Sequence, residues 1–101
     1  MEQTKLANSK QTRFKVKEPA MYDCIMHNDD VTTMDFVVNV IQHIFHKRKN
    51  VAETLMMDIH NTGSAVVGTY HLDIAESKAA YAMGVAKANG FPLKVSTKKA
   101  R

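Results

Sequence analysis

His27, Asn28, Asp29 and Asp30 stand in a row in "IMHNDDVTT", and His60 stands in "MMDIHNTG". An amide, two carboxylates and an imidazole can cap backbone donors, hold a cation or ligate a metal. Adjacent carboxylates repel each other, so their pairing needs a compensating partner. One reading is a turn whose carboxylates accept hydrogen bonds from the start of the following helix. Another makes Asp29, Asp30 and His60 the ligands of a small metal-dependent hydrolase. His60 also fits a helix end, where an imidazole meets the last carbonyls. His43 and His46 are three apart, a spacing that can bind metal on a helix, but no further ligand matches it and they read as solvated. His71 has no such company. The chain contains no HExxH, paired CxxC, glycine-rich phosphate loop or nucleophile elbow, so catalysis has little support.

Six elements must position these groups. "MYDCIMH" alternates Tyr22, Cys24 and Met26 against Asp23 and His27, which predicts a strand. Thr32 is the expected N-cap of the next helix, with Asp35 as a variant capping box. Phe36, Val37, Val40, Ile41, Ile44 and Phe45 then form one apolar stripe. Lys47, Arg48 and Lys49 are expected to close that helix, where positive charge suits the dipole. Asn50 with Glu53 predicts a second cap, Val51, Leu55, Met56 and Ile59 a second stripe, and Gly63 its stop. "SAVVGTY" reads as a strand. "DIAE" reads as a third capping box, opening a helix that packs through Ile74, Ala82 and Val85 and ends at "ANG". "PLKVST" alternates as a last strand, with Leu93 and Val95 on one side. The order β-α-α-β-α-β predicts an α/β (α+β) two-layer sandwich, a three-stranded sheet with three helices on one face.

The totals agree with one small globular domain: 101 residues, 45% hydrophobic and 24% charged. The net charge of +4 belongs to the ends. Residues 1–18 carry Lys5, Lys10, Arg13, Lys15 and Lys17 against Glu2 and Glu18. Residues 98–101 add Lys98, Lys99 and Arg101, so the middle is left at −2. A nucleic-acid-binding module would therefore have to work through its basic tails, without a basic groove in the core. Residues 1–18 are expected to be a mobile tail, 19–97 the folded core and 98–101 a second basic tail. No apolar run approaches the ~20 residues of a membrane span, and no signal-peptide pattern opens the chain. A lone cysteine, Cys24, suits a cytoplasmic, reducing compartment and a packed side chain.

Three blocks, "MYDCIMHNDDVTTMDFV", "MMDIHNTGSAVVGTY" and "IAESKAAYAMGVAKANGFPLKV", resemble in order the signature blocks of the ClpS family over residues 20–97. The family's members are non-enzymatic, cofactor-free adaptors that deliver substrates bearing an N-terminal Leu, Phe, Tyr or Trp to a Clp protease. The resemblance implies the same element order and assigns Asn28, Asp29, Asp30 and His60 to the α-amino group of the substrate. An α-amino group, with an ordinary pKa of ~7.7–8.0, is mostly cationic at neutral pH. Clustered acceptors and negative charge therefore suit it. The resemblance further assigns Thr32, Met34, Val37, Met56, Ile59 and Leu93 to the side-chain pocket, Met34 as its gate. It assigns Asp73, Glu76 and Lys78 to the N-terminal domain of a ClpA- or ClpC-type unfoldase, with the adaptor acting as a monomer, without nucleic acid or membrane. His27 departs from the pattern, standing where the family usually has an apolar residue. Directed toward the site, it would add a titrating charge beside the amine.

Overall fold

The computed structural model describes residues 19–100; the tail expected over residues 1–18 lies outside them, as does Arg101. The described elements are β1 (Met21–His27), α1 (Met34–His43), α2 (Lys49–Thr62), β2 (Ser64–His71), α3 (Leu72–Ala88) and β3 (Lys94–Lys99). The predicted order holds. The sheet is antiparallel with β1 at its centre, in the order β2-β1-β3. α2 and α3 pack against the sheet, and α1 packs on α2.

Strand alternation builds the core. Cys24 and Met26 are fully buried under the helices, whereas Asp23, Ile25 and His27 stand on the other face, half-buried. β2 keeps pace with them through a bulge: Cys24 pairs with Gly68 and Ile25 with Val66, which leaves Val67 unpaired. The extra residue shifts the parity of the strand, so Ala65 and Val67 before it and Gly68 and Tyr70 after it all turn inward. β3 adds the buried Val95 and runs two residues past its predicted end at Thr97. Lys98 and Lys99, expected in a tail, instead pair with Asp23 and Tyr22, and the Ala100 N–H donates to the Met21 carbonyl at 2.7 Å. Exposed lysines on such an edge discourage pairing with another chain.

The predicted stripes need correction on two helices. α3 buries Ala75, Ala79, Ala82 and Ala86, while Ile74 is 46% exposed and Val85 half-buried. Small side chains let the helix backbone approach the sheet, and the Cys24 thiol donates to the Ala75 carbonyl at 3.4 Å. Burial pushes the Cys24 thiol pKa up, assisted by Asp23 and opposed by Lys78, which suits a packed residue and not a nucleophile. On α2 the buried positions are Ala52 and Ile59, and Val51 is exposed.

The caps also differ. Thr33, not Thr32, caps α1, its Oγ1 accepting from the Phe36 N–H at 3.2 Å. α2 starts after Arg48 with no side-chain cap, and Asn50 lies inside the helix. α3 starts at Leu72 after an uncapped His71, so Asp73 sits in its first turn. Lys47 and Arg48 do not close α1, which ends at His43, and Lys49 begins α2. His46 takes a left-handed conformation at φ 58 between the two helices. The cation at the end of α1 comes from α3: Lys78 Nζ donates to the Ile44 carbonyl at 2.7 Å.

Candidate functional site

Gly63 sets up the site. Its φ of 97 ends α2 in the left-handed region that favours glycine, and its N–H donates to the Ile59 carbonyl at 2.9 Å. Its own carbonyl accepts from the Asn28 N–H at 2.9 Å. One glycine thus joins the end of β1 to the end of α2 and brings Asn28 beside the turn that carries His60. A cleft of about 440 Å³ opens there, between the 28–33 segment, the start of α1 and the end of α2.

The two carboxylates have separate positions in it. Asp29 Oδ1 accepts from the Val31 N–H at 2.8 Å and the Thr32 N–H at 2.7 Å. Its Oδ2 accepts from the Thr32 hydroxyl at 2.7 Å. Burial pushes the Asp29 pKa up, but the Thr32 backbone, Thr32 hydroxyl and Val31 hydrogen bonds outweigh it and hold the carboxyl below its ordinary value. Asp29 is therefore the turn-forming member of the pair. Asp30 is exposed, lines the cleft and, among the described residues, enters no hydrogen bond. Asn28 and His60 are exposed beside it.

The apolar part of the cleft is as deep as its polar part is open. Val37 and Ile59, 7% and 2% exposed, lie at its floor beside the half-buried Met56. Met34, 44% exposed, stands at its mouth with Thr32 alongside. Nine of the ten residues expected at the amine site and pocket thus line this cleft. The tenth, Leu93, does not: it is 5% exposed, packed in the core just before β3. Val31 and Thr33 line the cleft without having been expected there. Their signal was local, since both flank Thr32 in the turn that Asp29 organises.

Other expected groups lie elsewhere. His27 points to the sheet face opposite the helices, where its Nε2 meets Ser96 Oγ at 2.8 Å, so it adds no charge beside the cleft. His43 and His46 line a separate shallow groove with Lys78 and Tyr81. Among the described residues no three His, Cys, Asp or Glu side chains converge to hold a metal, which removes Asp29, Asp30 and His60 as a ligand set. Asp73 and Glu76 are exposed on the first turns of α3, Asp73 Oδ1 accepting from the Ile74 N–H at 2.9 Å. Lys78 is engaged with the Ile44 carbonyl and lies 5.3 Å from the Tyr70 ring centre. Among the described residues no helix is long and apolar enough to cross a membrane.

Fold and cleft together define a small α+β domain whose site joins amide, carboxylate and imidazole to a buried apolar floor. Residues 17–96 match the family described as ATP-dependent Clp protease adaptor protein ClpS, and the chain belongs to that family. It is an adaptor and not an enzyme. The chain is 48% identical over 82 residues to the ATP-dependent Clp protease adapter protein ClpS of Syntrophus aciditrophicus (strain SB), covering 81% of this chain and 77% of that protein. It is 44% identical over 85 residues to the protein of the same description from Campylobacter jejuni (strain RM1221), covering 84% and 88%. Among solved structures, Agrobacterium tumefaciens ClpS2 bound to L-phenylalaninamide superposes with a TM-score of 0.78 at 38% identity, covering 81% of this chain and 99% of that one.

Proposed function

We propose that the cleft captures the first residue of a protein chain when that residue is Leu, Phe, Tyr or Trp, for delivery to a Clp unfoldase. One observation carries the reading: acceptors for an ammonium group and a buried apolar floor share one cavity of about 440 Å³. An N-terminal residue is the part of a protein that offers a cation and a side chain on the same carbon atom. Asp30 supplies the charge, Asn28 Oδ1 and an unprotonated His60 nitrogen accept from the ammonium, and Asp29 holds the turn that presents them. Val37, Met56 and Ile59 receive the side chain, with methionine adapting to rings and branched chains alike. The ligand of the Agrobacterium tumefaciens structure, L-phenylalaninamide, has the same two features. On the delivery side, the exposed Asp73 and Glu76 would meet the N-terminal domain of the unfoldase, with Lys78 acting through its support of α1.

Fluorescence anisotropy with a labelled peptide beginning with Phe tests the reading. Binding is expected for the free amine and should vanish on N-acetylation, which removes the cation. Equal affinity for both forms would end it.

A further inference from the structure

Val31 stands at the mouth of the cleft, 57% exposed, in a turn where polar residues are ordinarily favoured. A single exposed valine means little by itself. This one is held, because its N–H donates to Asp29 Oδ1 at 2.8 Å, and it follows Asp30 directly in the chain. The ordering that a ligand contact requires is therefore already in place before anything binds.

We infer that Val31 reads the side chain of the second residue of the bound peptide and favours an apolar one. The inference rests on the capture of an N-terminal residue by this cleft. With the ammonium among Asn28, Asp30 and His60 and the first side chain over Val37 and Ile59, two arms of the first Cα are placed. The third arm, the carbonyl, must leave through the mouth, and the second Cα follows about 3.8 Å from the first. Val31 is likewise one residue from the carboxylate that faces the ammonium. Its branched side chain and that of Met34, 44% exposed, are the exposed apolar side chains in a lining that also carries Asn28, Asp30 and threonines, and they offer the second side chain apolar surface as it emerges. Covering a few tens of Å² of apolar surface there is expected to improve affinity about three- to fivefold.

The test compares two labelled peptides, Phe-Leu and Phe-Ser with identical remainders, on the parent and on Val31→Thr. Threonine keeps the branch and the N–H bonded to Asp29, and removes one methyl in favour of a hydroxyl. The parent should prefer the leucine peptide about three- to fivefold. Val31→Thr should bring the two peptides close to parity by weakening the leucine peptide alone. An unchanged ratio in the variant, or no preference in the parent, overturns the inference while leaving first-residue capture intact. Failure of the parent to bind either peptide instead overturns first-residue capture itself. Val31→Ala, checked by a melting curve, should repeat the loss of preference and so separates it from any effect of the new hydroxyl.

Discussion

An imidazole on the last turn of α2 accepts a hydrogen bond from a peptide ammonium only while one ring nitrogen is unprotonated. His60 is exposed at the cleft. His60→Ala should cost about 1–3 kcal/mol of binding. Anisotropy titrations compare the two proteins, and equal affinity would remove His60 from the acceptor role. His27→Val should leave peptide affinity unchanged, because His27 lies on the far face of the sheet with Ser96. Asp29 answers to pH through stability. Its carboxyl titrates below its ordinary 3.8, so the stability it adds is present above that value and is lost as pH falls through the lowered one. Asp29→Ala should destabilise the fold by about 1–3 kcal/mol at neutral pH. The gap from the parent, read by denaturant melts, should close in acid.

At the scale of elements, the bulge in β2 governs how the sheet meets the helices. It places Gly68 against the Tyr70 ring, which is tilted toward Phe45 with ring centres 6.5 Å apart and lies under Lys78 Nζ at 5.3 Å. A Cβ on Gly68 would come within 2.6 Å of Tyr70 Cε2 and 2.7 Å of Cζ, so the ring would have to leave its place. Gly68→Ala should cost about 1–3 kcal/mol, in the manner of an overpacked core. Thermal melts should show that cost shrinking in a Tyr70→Leu background, since the two residues are in contact. An equal loss in both backgrounds would place the strain elsewhere. Nothing in "SAVVGTY" announced this. Strand propensity reports that the segment is extended, but the bulge exists only because β1 opposes it with a different count of residues.

For the whole molecule, the structure separates two residues of "DIAESK" from the third. Asp73 and Glu76 present their carboxylates to solvent, whereas Lys78 links α3 to the end of α1. Reversing both charges, Asp73→Lys with Glu76→Lys, should leave melting and peptide binding within the small range usual for surface changes. Capture of the chain by an immobilised ClpA- or ClpC-type N-terminal domain should be lost. Unimpaired capture would move the unfoldase surface elsewhere. Lys78→Met makes the contrast: it should lower the melting temperature by removing a charge-assisted hydrogen bond, worth about 1.5–3 kcal/mol. A partner defect in that variant would report on the placement of α1 as well as on the surface.

Much was legible in the chain itself. Apolar periods are local, so the six elements, the stop at Gly63 and the places of Val37 and Ile59 on their apolar stripes were readable from spacing, whereas their part in a pocket came from the family resemblance. The ordered blocks pointed to the family, and only that resemblance assigned the amide, carboxylates and imidazole to an amine site. Position within the turn was harder. Thr32 and Thr33 are equally good caps by type, and the bonds that Asp29 makes to Thr32 leave the capping of Phe36 to Thr33. Contacts between distant elements were not legible at all. The sheet pairing turned His27 away from the cleft, and core packing took Leu93 out of its lining. α3 brought Lys78 to the Ile44 carbonyl, thirty-four residues away, where the neighbouring Lys47 and Arg48 had been expected. Sequence spacing specifies which face of its own element a side chain occupies. Which groups meet across that face depends on the pairing, bulges and close approaches that the assembled fold sets.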